Sequence, residues 1–174
     1  MTKRVCLTGV ESTGKSALAP KLAARFGGVV MPEYGRTWAE THGLDFTPAA
    51  LHAIAAGHLA ARARVIATRP GLIIEDTDIV MTSAWARMLH GVRDPVLSAI
   101  PATANLYLLF ARDTPWIDDG TRQFGGRERV RFDAIIREEL ATRKITPVMV
   151  GGDWIAREAA AEAAVSKLLA IKAA

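Results

Sequence analysis

Short apolar runs alternate with amphipathic stripes along almost the whole chain, and the alternation predicts five strands separated by helices. Arg4 to Thr8 is the first apolar run, followed by a helix over Ala17–Phe26 in which Leu18, Leu22 and Phe26 recur at helical spacing. Gly28 to Met31 predicts a second strand, Thr37 to His42 a brief helix, and Gly43 its stop. Thr47-Pro48 has the form of an N-cap with proline at the first helical position, opening an alanine-rich helix to Thr68 that Pro70-Gly71 terminates. Leu72 to Asp76 is a third strand, ending in acids. Ile79 to Leu89 is a helix, and Asn105 to Ala111 is a fourth strand. A polar segment over Arg112–Arg129 leads to a helix over Val130–Arg143, a last strand over Thr146–Val150, and a closing helix from Trp154 to about Ile171. Strands regularly separated by helices predict an α/β fold of three layers, α/β/α, around a five-stranded parallel sheet.

Gly9-Val10-Glu11-Ser12-Thr13-Gly14-Lys15-Ser16 sits between the first strand and the first helix, and it matches the phosphate-binding loop GxxxxGK[ST] in the context that loop requires. Gly9, Glu11, Ser12, Thr13, Gly14, Lys15, Ser16 and Ala17 are the expected ATP-binding residues. Glycine lets the backbone N–H groups curl around a polyphosphate, and the helix N-terminus adds partial positive charge. Lys15 is expected to reach the β- and γ-phosphates, and the Ser16 hydroxyl to ligate Mg²⁺.

The length of 174 residues fits one domain, here read as 1–174, and no composition break marks a second. No run is long enough to span a membrane, and Glu11 and Lys15 interrupt the apolar start too soon for a signal peptide. The single Cys6 lies in a buried strand, where a structural thiol and a reducing cytoplasm are expected. A net charge of +4 is spread among 18 acids without a basic stripe, so a polyanionic small substrate explains it as well as nucleic acid, and nucleic acid is not expected. His42, His52, His58 and His90 have no cysteine or acid partners at metal spacing, so no zinc site is expected. Alanine-rich helix faces leave a homo-oligomer open.

Asp76, at the end of the third strand, is the expected second Mg²⁺ ligand, and Thr77 stands where ATP-hydrolysing motors commonly carry a glutamate. Phosphoryl transfer to an organic hydroxyl is therefore favoured. Asp78 and Glu33 follow strands and are candidates to orient that hydroxyl and take its proton, Asp78 first; Asp78 can also cap the following helix. Between Gly120 and Arg131 lie four arginines, one acid and three glycines, the composition of a mobile arginine lid, with Arg122 and Arg127 as its catalytic candidates. Trp116 and Tyr34 could sandwich a planar, cationic base. Trp38, Trp85 and Trp154 fall in helices and are expected to pack.

The ordered set of the phosphate loop, Glu33-Tyr34-Gly35-Arg36, Asp76-Thr77-Asp78 and Asp113-Thr114-Pro115-Trp116-Ile117-Asp118-Asp119-Gly120-Thr121-Arg122 resembles the ribosylnicotinamide kinase domain of the bacterial NAD-biosynthesis and regulator proteins. That domain is nucleoside-kinase-like and belongs with the AAA-type ATPases. The resemblance implies ATP-dependent phosphorylation of the 5′-hydroxyl of nicotinamide riboside. It places Glu33, Arg36, Asp78 and the region from Trp116 through Asp118 to Asp119 near the nucleoside, beside the stacking candidate Tyr34, and Arg122 and Arg127 on the lid. It covers the kinase region only, so the DNA-binding and adenylyl-transfer functions of those relatives are not expected here. The rivals are a kinase for another nucleoside or nucleotide, and an ATP-binding or hydrolysing module that acts through a protein partner.

Overall fold

The computed structural model describes residues 2–118, 120 and 122–170. Strands β1 (Lys3–Thr8), β2 (Val29–Met31), β3 (Leu72–Asp76), β4 (Leu106–Phe110) and β5 (Val148–Val150) form one sheet in the order β2-β3-β1-β4-β5. Every neighbouring pair is parallel. Helices α1 (Lys15–Phe26), α2 (Tyr34–His42), α3 (Pro48–Ala67), α4 (Ile79–His90), α5 (Pro95–Ala99), α6 (Gly126–Thr142) and α7 (Trp154–Ala170) connect or follow the strands.

Side-chain alternation divides the strands between two cores. Val5, Leu7, Leu72, Ile74, Leu108 and Phe110 face α1 and α7, where they meet Leu18, Leu22, Ala161 and Val165. Cys6, Tyr107 and Leu109 face α4 and α6 and pack with Val80, Ala84, Phe132 and Ile136. A third cluster, from Leu51 and Ile54 through Ile79 and Leu97, joins α3 to α4 and α5. The strand positions buried on both faces explain why the strands read as continuous apolar runs.

All five expected strands form, and helix boundaries supply most of the differences. α2 begins at Tyr34, three residues before the periodicity suggested, with Glu33 at its N-cap. α6 begins at Gly126, so Arg127 and Arg129, read as lid, lie in its first turns. The five-residue α5 is too short to show a period; Pro95 at its start and the Asp94 carboxylate, which accepts from the Leu97 N–H at 2.9 Å, define it. Among the described residues no helix is long and apolar enough to cross a membrane.

Candidate functional site

Parallel strands bring their C-terminal ends to one edge, and β1, β2 and β3 deliver the phosphate loop, Glu33 and Asp76 there. Gly9 has φ +131°, and a Cβ there would stand 2.7 Å from the Phe110 carbonyl oxygen, so the loop can leave β1 only through glycine. Gly14, with φ +88°, caps α1, and the Trp154 ring occupies the space of a Cβ. Lys15 is buried, and its Nζ donates to the Gly9 and Val10 carbonyls at 2.8 Å each. Burial holds its pKa below the usual lysine value, and the Arg122 charge acts in the same direction, while Asp76, Glu33 and Glu11 oppose it. Thr13 is buried with its hydroxyl donating to the Val10 carbonyl, and Ser16 and Ala17 are exposed at the start of α1.

Two buried arginines that composition alone did not single out hold the loop from outside. Arg129 donates to the carbonyls of Glu11 (3.0 Å), Thr114 (2.6 Å) and Arg112 (3.3 Å). Arg157 donates to the Gly152 carbonyl at 2.9 Å, approaches those of Thr13, Val150 and Ala111 at 3.4 Å, and pairs with Asp113. The Gly152 N–H on Asp113 Oδ2 (2.7 Å), aided by Arg157, keeps the Asp113 carboxyl below its usual range. Thr114 donates to the Ser12 carbonyl at 2.7 Å, and the Ile117 N–H donates to the Ser12 hydroxyl at 3.0 Å. Arg122 donates to the Ile117 carbonyl. The segment read as a lid thus begins pinned to the loop.

At the end of β3, Thr77 takes φ +70°, a left-handed conformation rare for a β-branched residue, and its N–H donates to the Leu7 carbonyl at 3.0 Å. This turn sends Asp76 and Asp78 to different tasks. Asp76 is 4% exposed, and its Oδ1 has no hydrogen-bond partner among the described residues. It stands in register with Leu7, one residue before Thr8, whose hydroxyl is also buried without a partner. An orphaned carboxylate oxygen under the phosphate loop, acting electrostatically on Lys15, fits the coordination of Mg²⁺ together with the Ser16 hydroxyl. Glu75 points to the other face, where Arg4 pairs with it at 3.0 Å.

Asp78 caps α4, accepting from the Val80 N–H at 2.9 Å through Oδ1 and from the Tyr107 hydroxyl at 2.6 Å through Oδ2. Burial raises its pKa, against the pull of those two bonds and of Cys6. Glu33 is half-buried at the N-cap of α2, and its carboxyl makes no cap hydrogen bond. Burial, then the Asp76 charge, pushes its pKa up to about 7, while Lys15 and Arg36 oppose this.

Glu33, Asp78 and Glu11 open on one cavity, walled by Tyr34, Arg36, Phe46, Leu51, Ile54 and Trp85, with His58 at its side. The structure therefore brings Glu33, Tyr34, Arg36 and Asp78 together. Glu11 accepts from the Phe124 N–H at 3.3 Å, and burial raises its pKa. The Trp116 ring packs over Gly125, 3.5 Å from where a Cβ would stand, and lies beside Glu11 rather than facing Tyr34 across the cavity wall. Asp118 is exposed and accepts from the Gly120 N–H at 2.9 Å, Arg127 is exposed, and Asp119 lies outside the described residues.

The tryptophans expected to pack divide three ways. Trp38 packs against the third core cluster, as expected, and stacks on His42 at 3.9 Å. Trp85 also packs, on Phe124 at 4.6 Å, and lines the cavity as well. Trp154 is 62% exposed, because it opens α7 ahead of that helix's buried stripe, and its ring lies beside Gly14. Cavity residues Phe46, Leu51 and Ile54 carry no signal in the sequence beyond hydrophobicity, and His58, without partners at metal spacing, carries none for a buried donor or acceptor.

Known proteins resemble both sequence and fold. The Trifunctional NAD biosynthesis/regulator protein NadR of Escherichia coli (strain K12) is 31% identical over 156 residues, covering 85% of this chain and 38% of that protein. A solved NadR protein in complex with NR superposes with a TM-score of 0.83 at 22% identity, over 99% of this chain and 53% of that one. A NadR protein with NAD and AMP-PNP gives 0.78 at 20% identity, covering 99% and 51%. Thymidylate kinase from Ehrlichia chaffeensis gives 0.64 at 14%, covering 97% and 98%. The chain thus spans about 38% of the length of its curated relative and about half of the NadR structures. The AAA domain family model matches residues 4–157, phosphate loop and Asp76 included, and the chain belongs to that AAA domain family.

Proposed function

We propose that residues 1–174 form one ATP-dependent kinase domain that phosphorylates the 5′-hydroxyl of a nucleoside, nicotinamide riboside in the first instance, to give its mononucleotide. The observation that carries this reading is the adjacency of a complete phosphate loop to a cavity holding Glu33 and Asp78, walled by Tyr34 and Trp85. The carboxylates suit a cationic pyridinium ring, and aromatic faces attract such rings. The relationship to NadR, one of whose solved forms holds NR, supports the same choice.

In this mechanism the loop amides and Lys15 hold the triphosphate. Lys15 leaves the Gly9 and Val10 carbonyls to do so. Ser16 and Asp76 would hold Mg²⁺, which offsets charge on the β- and γ-phosphates. Asp78, fixed by Tyr107 and Val80, orients the acceptor. Glu33 takes the hydroxyl proton as the oxygen bonds to the γ-phosphorus and the bond from that phosphorus to the β-phosphate oxygen breaks, releasing ADP. Glu33 rather than Asp78 is assigned the proton because both Asp78 oxygens already accept hydrogen bonds. Arg122, beside the loop, and Arg127, on α6, would meet the migrating charge as the lid closes. Asp118 and Trp116 would join the nucleoside side in that closed form. The setting proposed is cytoplasmic, in keeping with the free, buried Cys6.

The test is ADP release from Mg-ATP in the presence of a nucleoside panel. Stimulation by nicotinamide riboside, abolished in Lys15→Ala with folding retained, is the expected result. Stimulation by a different nucleoside would reassign the acceptor. No stimulation by any nucleoside would overturn the kinase reading.

A further inference from the structure

His58 enters the acceptor cavity from α3 among apolar neighbours, Leu51 and Ile54 on its own helix and Trp85 on α4. It is 4% exposed, and its Nε2 has no hydrogen-bond partner among the described residues. Its Nε2 lies 3.9 Å from Glu75 Oε2, and neither of these buried atoms has a hydrogen-bond partner among the described residues. Behind them, Glu75 Oε1 is held by Arg4 at 3.0 Å, and Arg4 is braced on the Thr103 hydroxyl. Burial, with the charges of Arg62 and Arg4, pushes the His58 pKa down to about 4, so the ring is neutral at neutral pH. The carboxylate on the Nε2 side favours the tautomer with its proton on Nε2. Nδ1 is then an acceptor, the one polar atom the ring can offer to the cavity.

We propose that His58, backed by Glu75, is a specificity-determining residue that accepts a hydrogen bond from an N–H donor on the edge of the acceptor's base, so that the site prefers a carboxamide-bearing ring to its carboxylate analogue. This rests on the nucleoside-kinase reading above. A buried acceptor rejects a ligand that leaves it unpaired far more strongly than an apolar wall rejects a misfit. A carboxylate would bring a lone pair against the Nδ1 lone pair, with the Glu75 charge behind it. A carboxamide brings two N–H donors.

The experiment compares nicotinamide riboside with nicotinic acid riboside as acceptors for the wild-type chain, His58→Leu and His58→Gln. The wild type is expected to favour the carboxamide in kcat/KM. His58→Leu should lower kcat/KM for the carboxamide by about tenfold. That loss should appear mainly in KM, with the carboxylate analogue unchanged. His58→Gln, whose amide oxygen still accepts, should recover part of the preference. A parallel loss on both nucleosides, or a preference that survives in His58→Leu, overturns the proposal. Where His58→Leu does not fold, His58→Phe carries the comparison, because it keeps the ring and removes the nitrogens. If the wild type turns over neither nucleoside, the assignment of nicotinamide riboside as acceptor has failed. Calorimetric binding of the two nucleosides then decides this inference separately: a carboxamide preference lost in the variant supports it, and no preference overturns it.

Discussion

Glu33 and Asp78 are both acids at the sheet edge, but their neighbours set them different tasks. Asp78 spends both oxygens on Val80 and Tyr107, as an orienting group would. Glu33 makes no such cap bond, and its pKa of about 7 suits a group that must be ionised to take a proton and then hold it. The sign follows directly. Below about pH 7 the Glu33 carboxyl is already protonated, so kcat/KM is expected to fall about tenfold per pH unit on the acid side and to level above the pKa. Glu33→Gln should lose activity by roughly 10²–10⁴-fold and abolish that acid limb. A pH–rate profile of both proteins checks this, and an acid limb unchanged in Glu33→Gln would move the proton to another group. The sequence marked both acids as candidates and ranked Asp78 first; the order proposed here is the reverse, because the difference lies in partners such as Tyr107, 29 residues from Asp78 along the chain.

The α2–α3 layer decides the shape of the acceptor cavity. Tyr34 lies against α3 so closely that a Cβ on Gly57 would overlap its ring. A mid-helix glycine, ordinarily unfavourable by about 1 kcal/mol, is thereby explained. Gly57→Ala is expected to displace the Tyr34 ring and raise the nucleoside KM by about ten- to a hundredfold, with the ATP KM unchanged, as steady-state kinetics would report. The α6 helix contributes in another way. Its buried Arg129 ties the phosphate loop to the Arg112–Thr114 segment through three backbone carbonyls. Arg129→Ala leaves those carbonyls without their charged donor, and a loss of about 2–4 kcal/mol is expected in urea unfolding. A loss near zero would show that water replaces the arginine at no cost. Helical periodicity made α3 and α6 legible. It could not show that Gly57 faces Tyr34 or that Arg129 turns inward beneath the loop, since neither departs from its helix in composition.

For the whole molecule, the sheet order β2-β3-β1-β4-β5 places β1 at the centre, with the phosphate loop at its C-terminal end and the cavity beside it. In the function proposed, both ligands bind only the folded chain, so Mg-ATP at a hundred times its Kd is expected to stabilise it by about 2.7 kcal/mol. Nicotinamide riboside should add a further rise in Tm, readable by thermal shift. A rise with Mg-ATP and none with any nucleoside would favour an ATP-responsive module without an acceptor. By itself the sequence determined the alternation of strands and helices, the phosphate loop in its strand–helix context, and the acids at the strand ends. Each is a local matter of periodicity, glycine conformation or spacing. Only the tertiary structure decided which face Asp76 and Glu75 take, that Trp85 lines the cavity while Trp116 packs over Gly125, and that His58 ends buried beside Glu75. Those outcomes depend on packing between helices and strands far apart in the chain, and the burial that follows sets the partners and protonation of each group.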